Sequence, residues 1–159
     1  MPTKLKLDLP DYSSEYQIIS ICCTLQDYHL SWHLNKLFNL ILTKSEDFEY
    51  LLRKTNKSVI SSLYLFLDEK TSLDYHLLSN RNTEGFLIPE HKQTDYFFLI
   101  KGPTDTKTIS SLSKKINAIP NVLTAYPIDF QKLKDINSIL SELELHLMTI
   151  RSKKTITIK

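Results

Sequence analysis

The chain has only two glycines in 159 residues, Gly85 and Gly102, where roughly 7% is usual. Phosphate-cradling loops and dinucleotide fingerprints need several glycines close together, so that backbone can approach the ligand. Nucleotide binding of the usual kinds is therefore excluded, and so is the Gly-x-Ser-x-Gly elbow of a serine hydrolase. Cysteine is equally scarce. Cys22 and Cys23 stand side by side in a strand-like run, where neighbouring side chains point to opposite faces. They are not expected to pair, and without a Cys-x-x-Cys the reading is a reduced, cytoplasmic chain with at least one buried thiol. No stretch approaches the roughly 20 apolar residues that span a bilayer. The first residues carry Asp8 and Asp11 and no apolar run of a signal peptide, so no membrane role is expected. Acid is missing from the last nine residues, which hold Arg151, Lys153, Lys154 and Lys159. The net charge is +2, so setting those four bases aside leaves residues 1–150 at −2. A slightly acidic body is a poor binder of DNA or other polyphosphates, because affinity there rests on neutralising phosphates.

What is present reads as an ordinary globular chain, 42% hydrophobic and 24% charged. One domain is expected over residues 1–159, with a core at 16–130 and a C-terminal helix and basic tail at 131–159. The organising stretch runs from Gly85 to Gly102. Within it, Tyr96 to Ile100 is an unbroken apolar and aromatic run between Asp95 and Lys101, the pattern of a strand covered on both faces. Pro89 holds the preceding segment out of the sheet, since it cannot donate a ladder hydrogen bond. Lys4 to Leu9 alternates like a half-buried strand, and Tyr16 to Thr24 forms a second. A first helix follows, with Thr24 and Asp27 at capping-box spacing and an apolar stripe at Leu30, Leu34, Leu37, Phe38 and Ile41. Thr43 to Ser58 is polar and poorly patterned, apart from a short strand at Phe48 to Leu52. Leu63 to Leu67 and Leu73 to Leu78 predict a hairpin. Asp105 is placed to cap a second helix with its stripe at Ile109, Leu112, Ile116 and Ile119, and Val122 to Ile128 returns as a strand.

The C-terminus supports two readings. Leu133, Ile136, Leu140, Leu143, Leu147 and Ile150 recur in steps of three and four, as a helix does. Leu143 to Leu147 and Thr155 to Ile158 also alternate by two, as a hairpin does. Capping-box spacing at Ser141 and Glu144, with bases after Ile150, favours the helix. Its stripe is expected to pack on the sheet, and Leu140, Leu143, Leu147 and Ile150 are also candidates for a seam that meets a partner. The fold class is α+β, a largely antiparallel sheet of five to seven strands with two helices on one face plus the C-terminal helix.

Ile88-Pro89-Glu90, then three residues, then Thr94-Asp95-Tyr96 resembles the signature of the bacterial IPExxxVDY family, with Thr94 where the signature has valine. The likeness runs on through Leu25 to Tyr28, Trp32 to Lys36, Leu78 to Arg81, Ile119 to Val122 and Tyr126 to Asp129, so it covers most of residues 16–140. It implies a housekeeping context, since the family's genes tend to sit near those for ribonuclease III and pyruvate kinase, and it implies no particular chemistry. The last twenty residues are an addition to the family pattern. A strand ending at Ile100-Lys101-Gly102, a helix, Ile119 to Val122 and another strand is similar in architecture to half of a ferredoxin-like effector domain of the ACT or Lrp type. That resemblance implies a two-layer sandwich that can dimerise through its sheet. ACT domains keep a glycine in the loop after strand one, but this chain has Leu25-Gln26 there, which speaks against a small ligand at that place.

Several residues invite chemistry. Glu90 and Asp95 flank a loop that also holds His91 and Lys92, and a carboxylate pair beside a histidine can do acid–base work if burial shifts a pKa. The plainer reading makes Asp95 a turn cap and gives Glu90 a backbone amide, Arg81 or Lys101 as partner. Pro89, Glu90, His91, Asp95 and Lys101 are accordingly candidates for binding and not for catalysis. His29 and His33 stand four apart on one helix face, as metal ligands can, but no Glu lies where a zincin needs it and no third ligand is evident. No metal or other cofactor is expected. Tyr96 to Phe98 would suit base stacking only on an open sheet. The expectation is a non-catalytic binding module acting on a protein partner or on itself. The runner-up is an RNA-associated factor using the basic tail, and the third choice is an enzyme using the Glu90–Asp95 loop.

Overall fold

The computed structural model describes the backbone of residues 11–158 and side chains as far as Lys153. The strand expected at Lys4 to Leu9 lies outside the described residues. The elements follow in the order β1 (Tyr16–Cys23), α1 (Asp27–Phe38), β2 (Thr43–Lys44), β3 (Phe48–Leu52), β4 (Lys57–Ser61), β5 (Leu63–Asp68), β6 (Leu73–Ser79), β7 (Arg81–Asn82), β8 (Gly85–Phe86), β9 (Tyr96–Lys101), α2 (Thr106–Asn117), β10 (Val122–Pro127) and α3 (Ile136–Ile158). Six strands form one sheet in the order β10-β1-β9-β6-β5-β2, and every pairing in it is antiparallel. The inner order β10-β1-β9-β6 is that of a ferredoxin-like sandwich, with β5 and β2 added beyond it.

β9 sits between β1 and β6, and its alternation explains its unbroken apolar run. Tyr96, Phe98 and Ile100 join one core with Leu30, Leu34, Ile109 and Ile116, so α1 and α2 lie on that face. Phe97 and Leu99 join a second core with Ile139, Leu140, Leu143 and Leu147, so α3 covers the opposite face beside the β3–β4 hairpin. An aromatic run buried on both sides offers no stacking platform. Cys22 and Cys23 are both free and buried, the latter within the first core. Gly102 ends β9 at φ +128°, and a Cβ there would lie 2.6 Å from the Ser72 carbonyl oxygen, so only glycine lets the β5–β6 turn approach.

Three expectations are corrected, and the favoured helical reading of the C-terminus is borne out. Thr24 does not cap α1: the N-cap is Gln26, without a side-chain bond. The stripe of α1 stops at Leu34 and Phe38, because Asn39 turns left-handed at φ 57° and ends the helix, leaving Ile41 65% exposed. The polar stretch after Thr43 holds β2 and leads straight into β4, which is pinned by pairing with β3 and not by any pattern of its own. The C-terminus is helical throughout its described length. Leu145, on which the alternation by two depended, is exposed, and the residues at steps of three and four are all buried. Among the described residues no helix is long and apolar enough to cross a membrane.

Candidate functional site

The Glu90–Asp95 loop is built from Asn80, a fully buried residue at the end of β6. The Asn80 amide donates to the carbonyls of His91 and Thr94, both at 2.9 Å, and its oxygen accepts from the Ile88 amide at 2.7 Å. Its own backbone N–H donates to the Asp95 carbonyl at 2.8 Å. Thr94, buried where the resembled signature has valine, shares a 2.6 Å hydrogen bond with the hydroxyl of Ser20 on β1. One Asp95 oxygen accepts from Arg81 Nε at 2.8 Å and the other from the Cys23 amide at 2.9 Å. Asp95 therefore ties β1 to the turn after β6, and both of its oxygens have donors. Glu90 is exposed and, among the described residues, reaches only Lys54, at 3.9 Å. His91 is half-buried, and its backbone closes the turn between Ile88 and Thr94. The loop brings Pro89, Glu90, His91 and Asp95 to one end of the sheet but does not aim the carboxylates at a shared point.

Beside Asp95 opens a polar cleft of about 950 Å³, lined by Arg81, Asp27, Asp47, Glu84 and the start of α1. It occupies the place of the glycine-free Leu25-Gln26 loop. Cys23 reaches its wall, but burial pushes that thiol up to about 11, so it is not a nucleophile at neutral pH. Tyr96 donates its hydroxyl to the Leu25 carbonyl at 2.9 Å and braces the same loop.

Lys101 is not part of this end. It closes β9 at the far side of the sheet, where Asp74, Lys101 and Tyr16 lie in one row across β6, β9 and β1. Glu144 of α3 descends on that row. One Glu144 oxygen accepts from Tyr16 at 2.6 Å and from Lys101 at 2.7 Å, while Glu15 lies 4.0 Å from Lys101. Burial pushes the Glu144 carboxyl up, but its two donors outweigh that and hold it below its ordinary value. Next to the row, His76 is 1% exposed and neither ring nitrogen has a hydrogen-bond partner among the described residues. Burial lowers its pKa to about 4, so it stays neutral. The signal for this cluster was in the sequence, as lone polar positions in otherwise apolar strands, but nothing there says that α3 meets them.

The candidate seam Leu140, Leu143, Leu147 and Ile150 is closed. All four are buried, and the first three pack in the core beneath α3. As a continuous seam the stripe is not open to a partner, and only Leu147 and Ile150, 6% and 8% exposed, reach the wall of a surface groove. His29 and His33 stack at 4.9 Å between ring centroids on the outer face of α1, beside Tyr28 and Trp32, which are 66% and 51% exposed. Among the described residues no group of three potential ligands contains them.

The feature that sequence reasoning missed is at the sheet edge. β2 pairs with β5 only at Tyr64 and Leu65. The strand ends there, and on its outward side the Asn35 side chain takes both backbone groups of Leu42, accepting from its N–H at 2.8 Å and donating to its carbonyl at 3.2 Å. Beyond that point a groove of about 1080 Å³ runs between β5 and the last turns of α3, lined by Ile41, Leu65, Leu67, Leu147 and Ile150. No family model matches this chain, and neither a curated protein nor a solved structure does.

Proposed function

We propose that this chain is a non-catalytic interaction module whose partner is a protein. The observation that carries the reading is the contrast between its polar residues and its edge. Asp95 and Lys101, which invite chemistry in the sequence, have their polar atoms engaged in holding elements together, as does the buried Asn80 beside Asp95. The β5 edge and the groove under α3 instead leave apolar surface and backbone with nothing of this chain laid against them among the described residues. An edge of that kind takes part in strand pairing with other chains unless it is covered. The apolar wall supplies burial, which dominates association.

The resemblance to the IPExxxVDY signature fits this reading, because its residues here form a scaffold and not a reaction centre. The basic run of Arg151, Lys153 and Lys154 supports RNA as the alternative ligand. Capture of the tagged full chain from its native cell, with and without ribonuclease, followed by light scattering of the purified complex, separates the readings. A protein in fixed proportion that survives ribonuclease is expected. Loss of all bound material on ribonuclease treatment, together with a monomer alone in solution, overturns the proposal.

A further inference from the structure

The two edges of the main sheet are finished differently. On β10, the Asn117 side chain takes the outward N–H and carbonyl of Ala125, at 2.9 and 2.7 Å, and Pro127 ends the strand. That edge is blocked at its middle. On β5 the backbone direction can be traced residue by residue. The Leu63 carbonyl accepts from Ser45 on the β2 side, and the Ser62 carbonyl accepts from Ser79 on the β6 side. Backbone groups alternate along a strand, so those of Leu65 and Leu67 also face away from β6. Leu65 meets Thr43, but past it no strand among the described residues pairs on this side of β5, and the amide and carbonyl of Leu67 face the groove. Side chains alternate as well: Leu63 and Leu65 pack on the α3 face, and Leu67 follows them there, 44% exposed.

α3 roofs this edge. Leu147 and Ile150 line the same groove as Leu65 and Leu67, so a segment laid along β5 lies against them. The groove walls carry three bases, Lys44, Arg151 and Lys153, and although Lys44 pairs with Asp47 and Lys153 with Glu46, the balance of charge there stays basic.

Resting on the reading of the chain as a protein-binding module, we infer that the groove takes an extended peptide segment of the partner, added as a strand to β5 beyond β2. Its alternate residues are apolar and face Leu147 and Ile150, and acidic residues flank them. The backbone of Leu67 supplies the hydrogen bonds and α3 supplies the apolar cover, the division of labour seen wherever a peptide extends a sheet. No helix fits this description, because a helix has no free backbone groups to offer the edge.

The test uses a displayed library of random short peptides selected on the full chain, followed by affinity measurements on the enriched sequences. Alternating apolar residues with acidic flanks are expected. Leu67→Pro removes only the outward N–H and leaves the β5–β6 ladder whole, so binding is expected to weaken tenfold or more with an unchanged circular dichroism spectrum. Leu67→Glu keeps the N–H but puts an acid against the acidic flanks, and a similar loss is expected. Slowed hydrogen exchange at the Leu67 amide on peptide addition locates the contact independently of either variant. Enriched peptides without alternation, peptides indifferent to both variants, or no enrichment at all overturn the inference. A native partner that binds Leu67→Pro as well as the parent chain overturns the groove but leaves the interaction module standing; peptide binding without any native protein partner does the reverse.

Discussion

Asn80 carries no charge and no reactive atom, yet three buried hydrogen bonds from its side chain hold Ile88 to Thr94 in place. Removing it strands the Thr94 carbonyl and the Ile88 amide and leaves the His91 carbonyl only its bond from the Thr94 N–H, and a buried group without a partner costs about 1–3 kcal/mol. Asn80→Ala is therefore expected to destabilise the fold by about 3 kcal/mol or more in urea titration. Asp95→Asn weakens a charged pair with exposed Arg81 but keeps the residue's shape, and a loss of about 1–2 kcal/mol is expected. Glu90→Gln alters an exposed group 3.9 Å from Lys54 and is expected to change stability by less than about 0.5 kcal/mol. That order reverses the emphasis of the sequence, in which Glu90 looks as consequential as Asp95. A fall in stability for Glu90→Gln matching that of Asp95→Asn would refute this account of the loop. The sequence could nominate this loop because Ile88 to Tyr96 is distinctive, but it could not show which side chain builds it. A buried asparagine reads the same in a string as an exposed one.

The contact between α3 and the sheet depends on pH through His76 and Glu144. His76 is buried neutral with its pKa lowered to about 4, whereas in the unfolded chain it titrates near 6.5. Between those values the unfolded chain binds a proton that the folded chain refuses. Stability is thus complete above about 6.5 and falls as pH drops through about 4, by an amount on the order of 3 kcal/mol. Glu144 acts in the same direction at lower pH, since its carboxyl is held below its ordinary value and protonation loosens its grip on Lys101 and Tyr16. His76→Leu is expected to keep or raise stability at pH 7, because an apolar group replaces two unpartnered ring nitrogens. It should also flatten the decline between pH 6.5 and 4. Denaturant unfolding of both chains across that range is the measurement, and parallel curves would remove His76 from the account. At this scale the sequence was most legible where one element buries one stripe. β9 and α2, with Asp105 capping it through the Thr108 amide at 2.8 Å, stand as expected. β4 was illegible because its only definition is its pairing with β3. The blocked outer sides of β2 and β10 were illegible because they depend on Asn35 and Asn117, whose partners lie seven and eight residues away.

Across the whole molecule, two cores share one sheet, and β9 contributes to both: Phe98 and Ile100 to the first, Phe97 and Leu99 to the second. Neither layer is free to melt without uncovering residues of the same strand. The full chain is therefore expected to unfold as one cooperative unit, with calorimetric and van't Hoff enthalpies equal. A chain ending at Lys134 sharpens the test, since it removes α3 while keeping all the strands and the first core. It would expose Tyr16, Phe97, Leu99 and Leu63 together with the unpartnered nitrogens of His76, an apolar face too large for a stable monomer to leave in water. Loss of the cooperative transition and binding of a hydrophobic dye are expected for that truncation. A truncated monomer that kept a sharp thermal transition would show the α1–α2 layer and the sheet to be self-sufficient. In that case α3 would be an accessory laid over a finished domain, and the groove beneath it would belong to a movable cover and not to the framework of the fold.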